Sequence, residues 1–146
     1  MSGDLDLVRF AQTLIRESPD AMIYADAEGR IRFWNAGAER IFGFAAPEAL
    51  GESLDIIIPQ NLRPRHWDGF TKTMESGRTR YASGDLLSVP ALRKDGTRIS
   101  VEFTIVPFHD VTGRMAGIAA VLRDVTARFE ETKALRKELA LARRTP

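Results

Sequence analysis

The feature that most constrains the fold is a strict alternation of apolar and polar side chains between residues 99 and 105. Successive side chains of a β-strand point to opposite faces of the sheet, so this pattern predicts a strand with one buried face. Asp95 and Gly96 precede it and are typical of a tight hairpin turn, which favours antiparallel pairing. The apolar face consists of Ile99, Val101, Phe103 and Ile105, and the polar face of Ser100, Glu102 and Thr104.

The rest of the chain predicts an α+β fold in which helices bracket and interrupt an antiparallel sheet. Apolar residues at helical spacing predict an amphipathic leading helix over 5–17. The longest internal helix is predicted from Asn61, a residue type that caps helices, to Gly77, a stop signal. The predicted order is β-β-α-α-α-β-β-β, with strands at 21–25, 30–34, 79–93, 99–105 and 115–123 and a charged tail at 125–144.

Charge balance and cysteine content exclude several functions. The chain has 21 basic and 20 acidic residues, so no overall field draws it to nucleic acid or an anionic membrane. It has no cysteine, which excludes disulfides, thiolate metal sites and flavin photochemistry through a thiol. The apolar runs are too short to span a membrane, and we expect a cytoplasmic domain without direct membrane contact. With no triad order, phosphate-binding loop or metal-ligand cluster, we expect no enzymatic activity of its own.

Three segments are similar to those of one sensory family. They are "DAMIYADAEGRIRFWNAGAERIFGF", "LRKDGTRISVEFTIVPF" and "AAVLRDVTARFEE". Together they resemble a PAS (S-box) domain over about residues 18–127. Such domains occur in bacterial histidine kinases, diguanylate cyclases, phosphodiesterases and transcription regulators, so the resemblance implies a role in signal transduction, including two-component systems.

The resemblance implies a PAS fold and a division of the chain. The fold is a five-stranded antiparallel sheet with short helices over one face, where a pocket commonly holds a small molecule. The implied parts are an N-terminal flanking helix (1–18), a PAS core (19–124) and a C-terminal signalling helix or linker (125–146). Asp124 and Thr126 match the family's signalling signature, although they also suit the end of a strand and the cap of a helix.

His66 is the candidate ligand-binding residue, and two interpretations of it stay open. Steps of four on a helix place it with Phe70 and Met74 on a stripe that should face the core. One interpretation is a packed, partly exposed histidine whose nitrogens bind water or a carbonyl. The other is an axial ligand of haem iron, because "NLRPRHWDGF" is similar to the helix that carries the iron-binding histidine in haem-containing PAS domains of oxygen-sensing kinases and phosphodiesterases.

The walls of the predicted pocket come from the helix of His66 and from the strands that face it. On the far side, Asp85 and Leu87 fall where the haem-containing relatives carry a methionine or an arginine. A distal side without a hydrogen-bond donor disfavours oxygen relative to carbon monoxide or nitric oxide. Four arginines flank the helix and could meet haem propionates, although solvation is the simpler role: Arg63, Arg65, Arg78 and Arg80. The predicted lining residues are Phe70, Met74, Tyr81, Leu86, Leu87, Ile105 and Val121.

Other aromatic and histidine residues receive structural predictions. Trp34 and Asn35 lie where flavin-binding PAS domains contact their cofactor, but without cysteine only a non-covalent redox flavin remains, and core packing and helix capping are favoured. Trp67 is expected at the rim of the pocket or under the adjoining strand. His109 lies beside Asp110 in a turn and is expected to face solvent.

Two classes of function remain. The first is a ligand sensor whose pocket occupancy biases the C-terminal helix, with haem and a diatomic gas as the leading specific candidate. The second is a cofactor-free dimerisation module. In both cases the apolar stripes of the two terminal helices predict a homodimer, since a single chain of this size does not cover them.

Overall fold

The computed structural model describes residues 3–79 and 84–144, and it confirms the five-stranded antiparallel sheet and the flanking helices. The strands lie in the order β2-β1-β5-β4-β3, so β2 and β3 are the edges. Their bounds are β1 Ala21–Asp26, β2 Ile31–Trp34, β3 Leu87–Leu92, β4 Arg98–His109 and β5 Met115–Asp124. The helices are α1 Leu7–Glu17, α2 Ala36–Phe42, α3 Ala46–Ala49, α4 Arg63–Ser76 and α5 Thr126–Arg144, with 3₁₀ helices at Leu54–Ile57 and Gln60–Leu62.

One face of the sheet forms the core, as the alternation in β4 predicts. Ile99 and Val101 are buried, and Phe103 packs against the same cluster from the position opposite Leu122. The helical segments between β2 and β3 supply the other wall of the core. The fully buried side chains include Phe42 from α2 and Ile31 from β2. Burial on one face only explains why the polar residues of β4 alternate with the apolar ones.

Strand β3 is shorter than the predicted strand at 79–93. It begins at Leu87, and residues 80–83 lie outside the described part of the chain. Pro90 lies inside β3 opposite Ser100, at the edge of the sheet. An edge strand accepts proline because the missing N–H would face solvent and not a second neighbour.

Helix α4 has 14 residues and begins two residues later than predicted. Asn61 does not cap it, because Asn61 lies within the 3₁₀ helix Gln60–Leu62 and its side-chain oxygen accepts a hydrogen bond from Arg98. Pro64 lies in the first turn, where its missing N–H costs no helical hydrogen bond. Gly77 ends the helix in the left-handed conformation, with φ 72°, as predicted.

The two terminal helices project their apolar side chains into solvent. Every residue of α1 is exposed, and so are residues 127–144 of α5. None of the helices in the described residues is long and apolar enough to cross a membrane. The large exposed apolar residues of these helices are Leu7, Val8, Phe10, Leu14 and Ile15 in α1 and Phe129, Leu135, Leu139 and Leu141 in α5.

Candidate functional site

His66 lies at the end of the first turn of α4, half-buried among aromatic rings. Its imidazole meets the indole of Trp67 edge to face, with ring centroids 4.6 Å apart. The ring of Phe70 lies 5.9 Å away at a shallower angle, and Trp67 and Phe70 contact each other at 5.2 Å. Helix α4 itself packs against β5. The predicted stripe of His66 and Phe70 is therefore joined by Trp67 in one aromatic cluster.

One nitrogen of His66 is buried without a hydrogen-bond partner. This nitrogen is Nδ1, and among the described residues it is the buried side-chain polar atom that lacks a partner. Burial lowers the pKa of the His66 imidazole, and the carboxylate of Asp55 opposes that shift. The neutral imidazole is thus favoured near neutral pH, which is the form that binds metals. A buried, unpaired nitrogen is costly and calls for an explanation.

Trp67 is held at both ends of its indole ring. Its indole nitrogen donates a hydrogen bond of 2.7 Å to Asp55 in the 3₁₀ helix Leu54–Ile57. Its benzene ring lies over Gly29 in the β1–β2 turn, where a Cβ atom would approach the ring to 2.3 Å. Only glycine fits under the indole at this position, which links α4 to the hairpin.

The structure brings several of the predicted lining residues to the helix-covered face of the sheet. Leu87 pairs with Phe103, and Ile105 pairs with Ala120, so both share the face on which Phe103 packs into the core. Met74 is half-buried on α4. Leu87 and Ile105 therefore lie on the helix-covered face of the sheet.

Two of the predicted lining residues are placed differently, and a third is not described. Val121 pairs with Thr104 and lies on the opposite face from Ile105, so its prediction as a lining residue is wrong. The cause is the period of two, which sends neighbours in one strand to opposite faces. Leu86 precedes β3 and is 62% exposed, so it does not form a buried wall. Tyr81 lies outside the described residues.

Of the four arginines near α4, Arg63 has structural partners. Arg63 donates hydrogen bonds to the carbonyls of Ile58 and Asp55, at 3.1 and 3.2 Å, and so fastens the start of α4 to the preceding segment. Arg65 and Arg78 are exposed, as solvation predicts, and Arg80 lies outside the described residues. Asp85 is exposed as well.

Trp34 and Asn35 serve the core and the helix cap. Trp34 is buried against Phe42, and its indole nitrogen donates to the carbonyl of Phe44 at 2.9 Å. Asn35 is 3% exposed and caps α2 by accepting from the amide of Ala38. Its amide group also donates to the carbonyl of Ile15 at 2.8 Å, which ties α1 to the core. Sequence reasoning identified the cap but not this link to α1.

His109 has a partner that the sequence did not indicate. It is exposed, as predicted, but its Nε2 lies 2.9 Å from the carbonyl of Gly77 at the end of α4. The end of β4 therefore contacts the end of α4. No local pattern signals this contact, because the two residues are 32 positions apart.

Asp124 and Thr126 form the junction between β5 and α5. Asp124 accepts hydrogen bonds from the amide and hydroxyl of Thr126, and the Thr126 hydroxyl accepts from the amide of Ser100 at 3.0 Å. The amide of Val125 donates to the carbonyl of Ser100. An ion pair between Arg128 and Glu102 adds a further contact to β4. The first turn of α5 is thus fastened to the strand whose other face forms the core.

A shallow cleft elsewhere does not include His66. It has a volume of about 500 Å³ and lies between the second 3₁₀ helix and the β3–β4 turn. Its lining residues are Pro59, Gln60, Asn61, Leu92, Gly96 and Arg98. Arg98 donates a hydrogen bond to Asn61 across the cleft, so these two polar side chains already bind each other and not a ligand.

Comparison with known proteins gives one family. The model of the PAS fold matches residues 15–130. The sensor protein FixL of Bradyrhizobium diazoefficiens is 29% identical over 128 residues, which cover 88% of this chain and 25% of FixL. The oxygen sensor protein DosP of Escherichia coli is 31% identical over 75 residues, which cover 51% of this chain and 9% of DosP. The chain thus spans a quarter or less of the length of these relatives.

A solved structure shows the same architecture. The PAS domain of a protein from Colwellia psychrerythraea superposes with a TM-score of 0.70 at 22% sequence identity. The match covers 84% of this chain and 99% of that domain. At this identity the likeness concerns the fold alone.

Proposed function

We propose, from the premise that the chain belongs to the PAS fold family, that it is a sensory domain that binds haem through His66 and signals through α5. The sensory role is what the relatives FixL and DosP have in common. Haem as the cofactor and α5 as the output element are our proposal. The resemblance of "NLRPRHWDGF" to the haem-binding helix of related sensors motivates the choice of cofactor.

The observation that carries the proposal is the unpaired Nδ1 of His66. Haem iron needs a neutral imidazole in an apolar, dry setting. His66 has a depressed pKa, aromatic neighbours and a buried nitrogen without a partner. The donor therefore fits the cofactor, and a bond from this residue to iron would remove the cost of an unsatisfied buried group.

The residues around His66 divide the remaining tasks. When bound, haem supplies an iron centre that takes up a diatomic gas. His66 would hold it, Phe70 and Met74 would offer apolar contact from α4, and Leu87 and Ile105 would offer apolar contact from the sheet. Because Leu87 has no hydrogen-bond donor, its side chain favours carbon monoxide or nitric oxide over oxygen.

The experiment is a haem titration of the purified full chain, followed by the Soret absorption. The wild type should bind one haem per chain, and His66→Ala should lose saturable binding. The matched control is His109→Gln, which keeps a donor to the Gly77 carbonyl and should titrate like the wild type. An unchanged spectrum in His66→Ala would show that a residue other than His66 binds the haem iron. A wild type that takes up no haem would overturn the proposal.

The proposed output passes from the sheet to α5 at the Asp124–Thr126 junction. A change in the sheet face under α4 moves β5 and β4, and the bonds of Thr126 and Val125 to Ser100 transmit it to the first turn of α5. We assign no enzymatic activity to the domain itself. Any catalytic output would belong to a separate effector domain.

A cofactor-free dimerisation module is the second candidate, and the exposed stripes of α1 and α5 favour it. A second copy of the chain is the proposed cover for these surfaces, since both helices expose several large apolar side chains. Light scattering should give a dimer for the wild type and a monomer for Leu14→Glu. Thr13→Glu, which lies outside the apolar stripe of α1, should remain dimeric. A monomeric wild type at high micromolar concentration would contradict the dimer.

A further inference from the structure

Trp67 occupies a fixed position beside the proposed iron ligand. One end of its indole donates to Asp55, and the other end lies against the backbone of Gly29. Asp55 is itself held, because its amide donates to the hydroxyl of Ser53 and its carbonyl accepts from Arg63. The indole therefore has an anchored polar edge and an anchored apolar edge. Few other orientations of this side chain are compatible with both contacts.

The imidazole of His66 takes its orientation from ring packing. A metal-binding histidine usually donates its second nitrogen to a carboxylate or carbonyl, which fixes the plane of the ring. With Nδ1 as the nitrogen proposed to bind iron, the second nitrogen is Nε2, and no hydrogen bond from Nε2 to a described residue fixes the ring. The contacts that restrict the ring are the edge-to-face contact with Trp67 and the tilted contact with Phe70. Aromatic pairs of this geometry stabilise one arrangement over others.

We propose that Trp67, anchored by Asp55, is a positioning residue that sets the plane of the His66 imidazole. The part of this inference that concerns iron rests on the proposed function, whereas the part that concerns the ring does not. The hydrogen bond from Trp67 to Asp55, here called the anchor, replaces the hydrogen bond that usually orients a metal-binding histidine. Loss of the anchor frees the indole and, through it, the imidazole.

The first measurement uses the haem-free full chain and NMR. The chain has two tryptophans, so the Trp34 indole signal reports on the fold while the Trp67 signal reports on the anchor. Asp55→Ala should shift the Trp67 indole proton and change the ring-proton shifts of His66. Trp67→Leu should remove the ring-current contribution from those shifts. At about pH 8, where the imidazole is neutral with or without the Asp55 carboxylate, Asp55→Asn keeps an acceptor oxygen and should preserve both sets of signals.

The second measurement is the rate at which loaded protein loses haem to an excess of a scavenging apoprotein. Asp55→Ala and Trp67→Leu should each lose haem about tenfold faster, the usual scale for an outer partner of a metal ligand. Asp55→Asn should restore the wild-type rate. The matched control is Asp68→Ala, which removes an exposed carboxylate from the same helix and should leave the rate unchanged.

The outcomes separate this inference from the proposed function. Unchanged His66 ring shifts in Trp67→Leu, with the Trp34 signal intact, would overturn the positioning role even if haem binds. In a second outcome, the wild type takes up no haem while the variants change the His66 ring shifts as expected. That result would support the positioning role and overturn the proposed function. Equal haem loss in Asp55→Ala and the wild type would also refute the role of the anchor.

Discussion

Asn35 and His66 both bring polar atoms into the interior, and they differ in how those atoms are satisfied. The side-chain oxygen of Asn35 accepts from the amides of Met22 and Ala38, and its nitrogen donates to backbone carbonyls at the end of α1. Nδ1 of His66 has no hydrogen bond among the described residues. A fully satisfied buried group specifies structure, whereas an unsatisfied one lowers stability and marks a place where a ligand can act.

The largest expected effect is at the satisfied site. Asn35→Leu keeps a similar volume but leaves the amides of Met22 and Ala38 and the carbonyl of Ile15 without their partner. We expect the free energy of unfolding to fall by about 3 kcal/mol, measured by urea denaturation. The control is Asn61→Ala, an exposed asparagine, with a loss of less than about 0.5 kcal/mol. A loss at Asn35 below about 1 kcal/mol would show that water replaces its bonds.

The two tryptophans give the second comparison, because both donate their indole proton. Trp34 is buried and donates to the Phe44 carbonyl, whereas Trp67 is half-buried and donates to Asp55. Trp34→Phe should lose about 2 kcal/mol through the lost bond and the space left behind. Trp67→Phe should lose about 1 kcal/mol, since solvent reaches its surroundings. Equal losses in thermal or urea unfolding would contradict this ranking.

The sequence predicts the sheet well because its signals are local. The alternation in β4 and the Asp95-Gly96 turn fix a strand and a hairpin within 15 residues of each other, and Asn35 and Gly77 mark helix ends by residue type. The face of the sheet on which each side chain of β5 lies is harder to assign. Val121 lies between two residues of the covered face, and its own apolar character gives no warning that it points away.

Contacts between distant segments are the part of the site that the sequence does not reveal. Trp67 reaches Asp55 and Gly29 because the 3₁₀ helix and the β1–β2 turn converge on α4, and no spacing along the chain encodes that convergence. The same holds for His109 and Gly77. The stripe of His66 and Phe70 was predictable from helical periodicity, but the unpaired nitrogen was not, because a missing partner has no sequence pattern.

A smaller effect is expected where α5 meets the sheet. Thr126→Val preserves the shape of the side chain but removes the hydroxyl that accepts from the amide of Ser100 and donates to Asp124. We expect a loss of about 1 kcal/mol and faster amide exchange at Ser100, measured by hydrogen exchange. Thr13→Val, on the exposed α1, is the control and should change neither quantity. Unchanged exchange at Ser100 would mean that Val125 alone holds the junction.

The smallest effect is expected at His66 in the haem-free protein, and it should depend on pH. His66→Leu removes an unpaired nitrogen and keeps an apolar side chain, so the free energy of unfolding at about pH 7.5 should change by less than about 1 kcal/mol. Burial lowers the pKa of the folded imidazole below its ordinary value of 6.5. Below about pH 6.5 the unfolded chain therefore binds a proton that the folded chain does not, and the wild type loses stability as the pH falls towards the lower folded pKa.

His66→Leu lacks that titration, so the difference in stability between variant and wild type should shift in favour of the variant between about pH 7.5 and about pH 5.5. Carboxylates common to both proteins cancel in this difference. Urea denaturation at several pH values measures it. A difference that stays constant over this range would mean that the folded and unfolded chains protonate His66 alike, and the imidazole would then not be buried from water. For a variant at Asn35, a stability difference that is constant with pH is expected, because the side-chain amide of Asn35 does not titrate and its hydrogen bonds are complete.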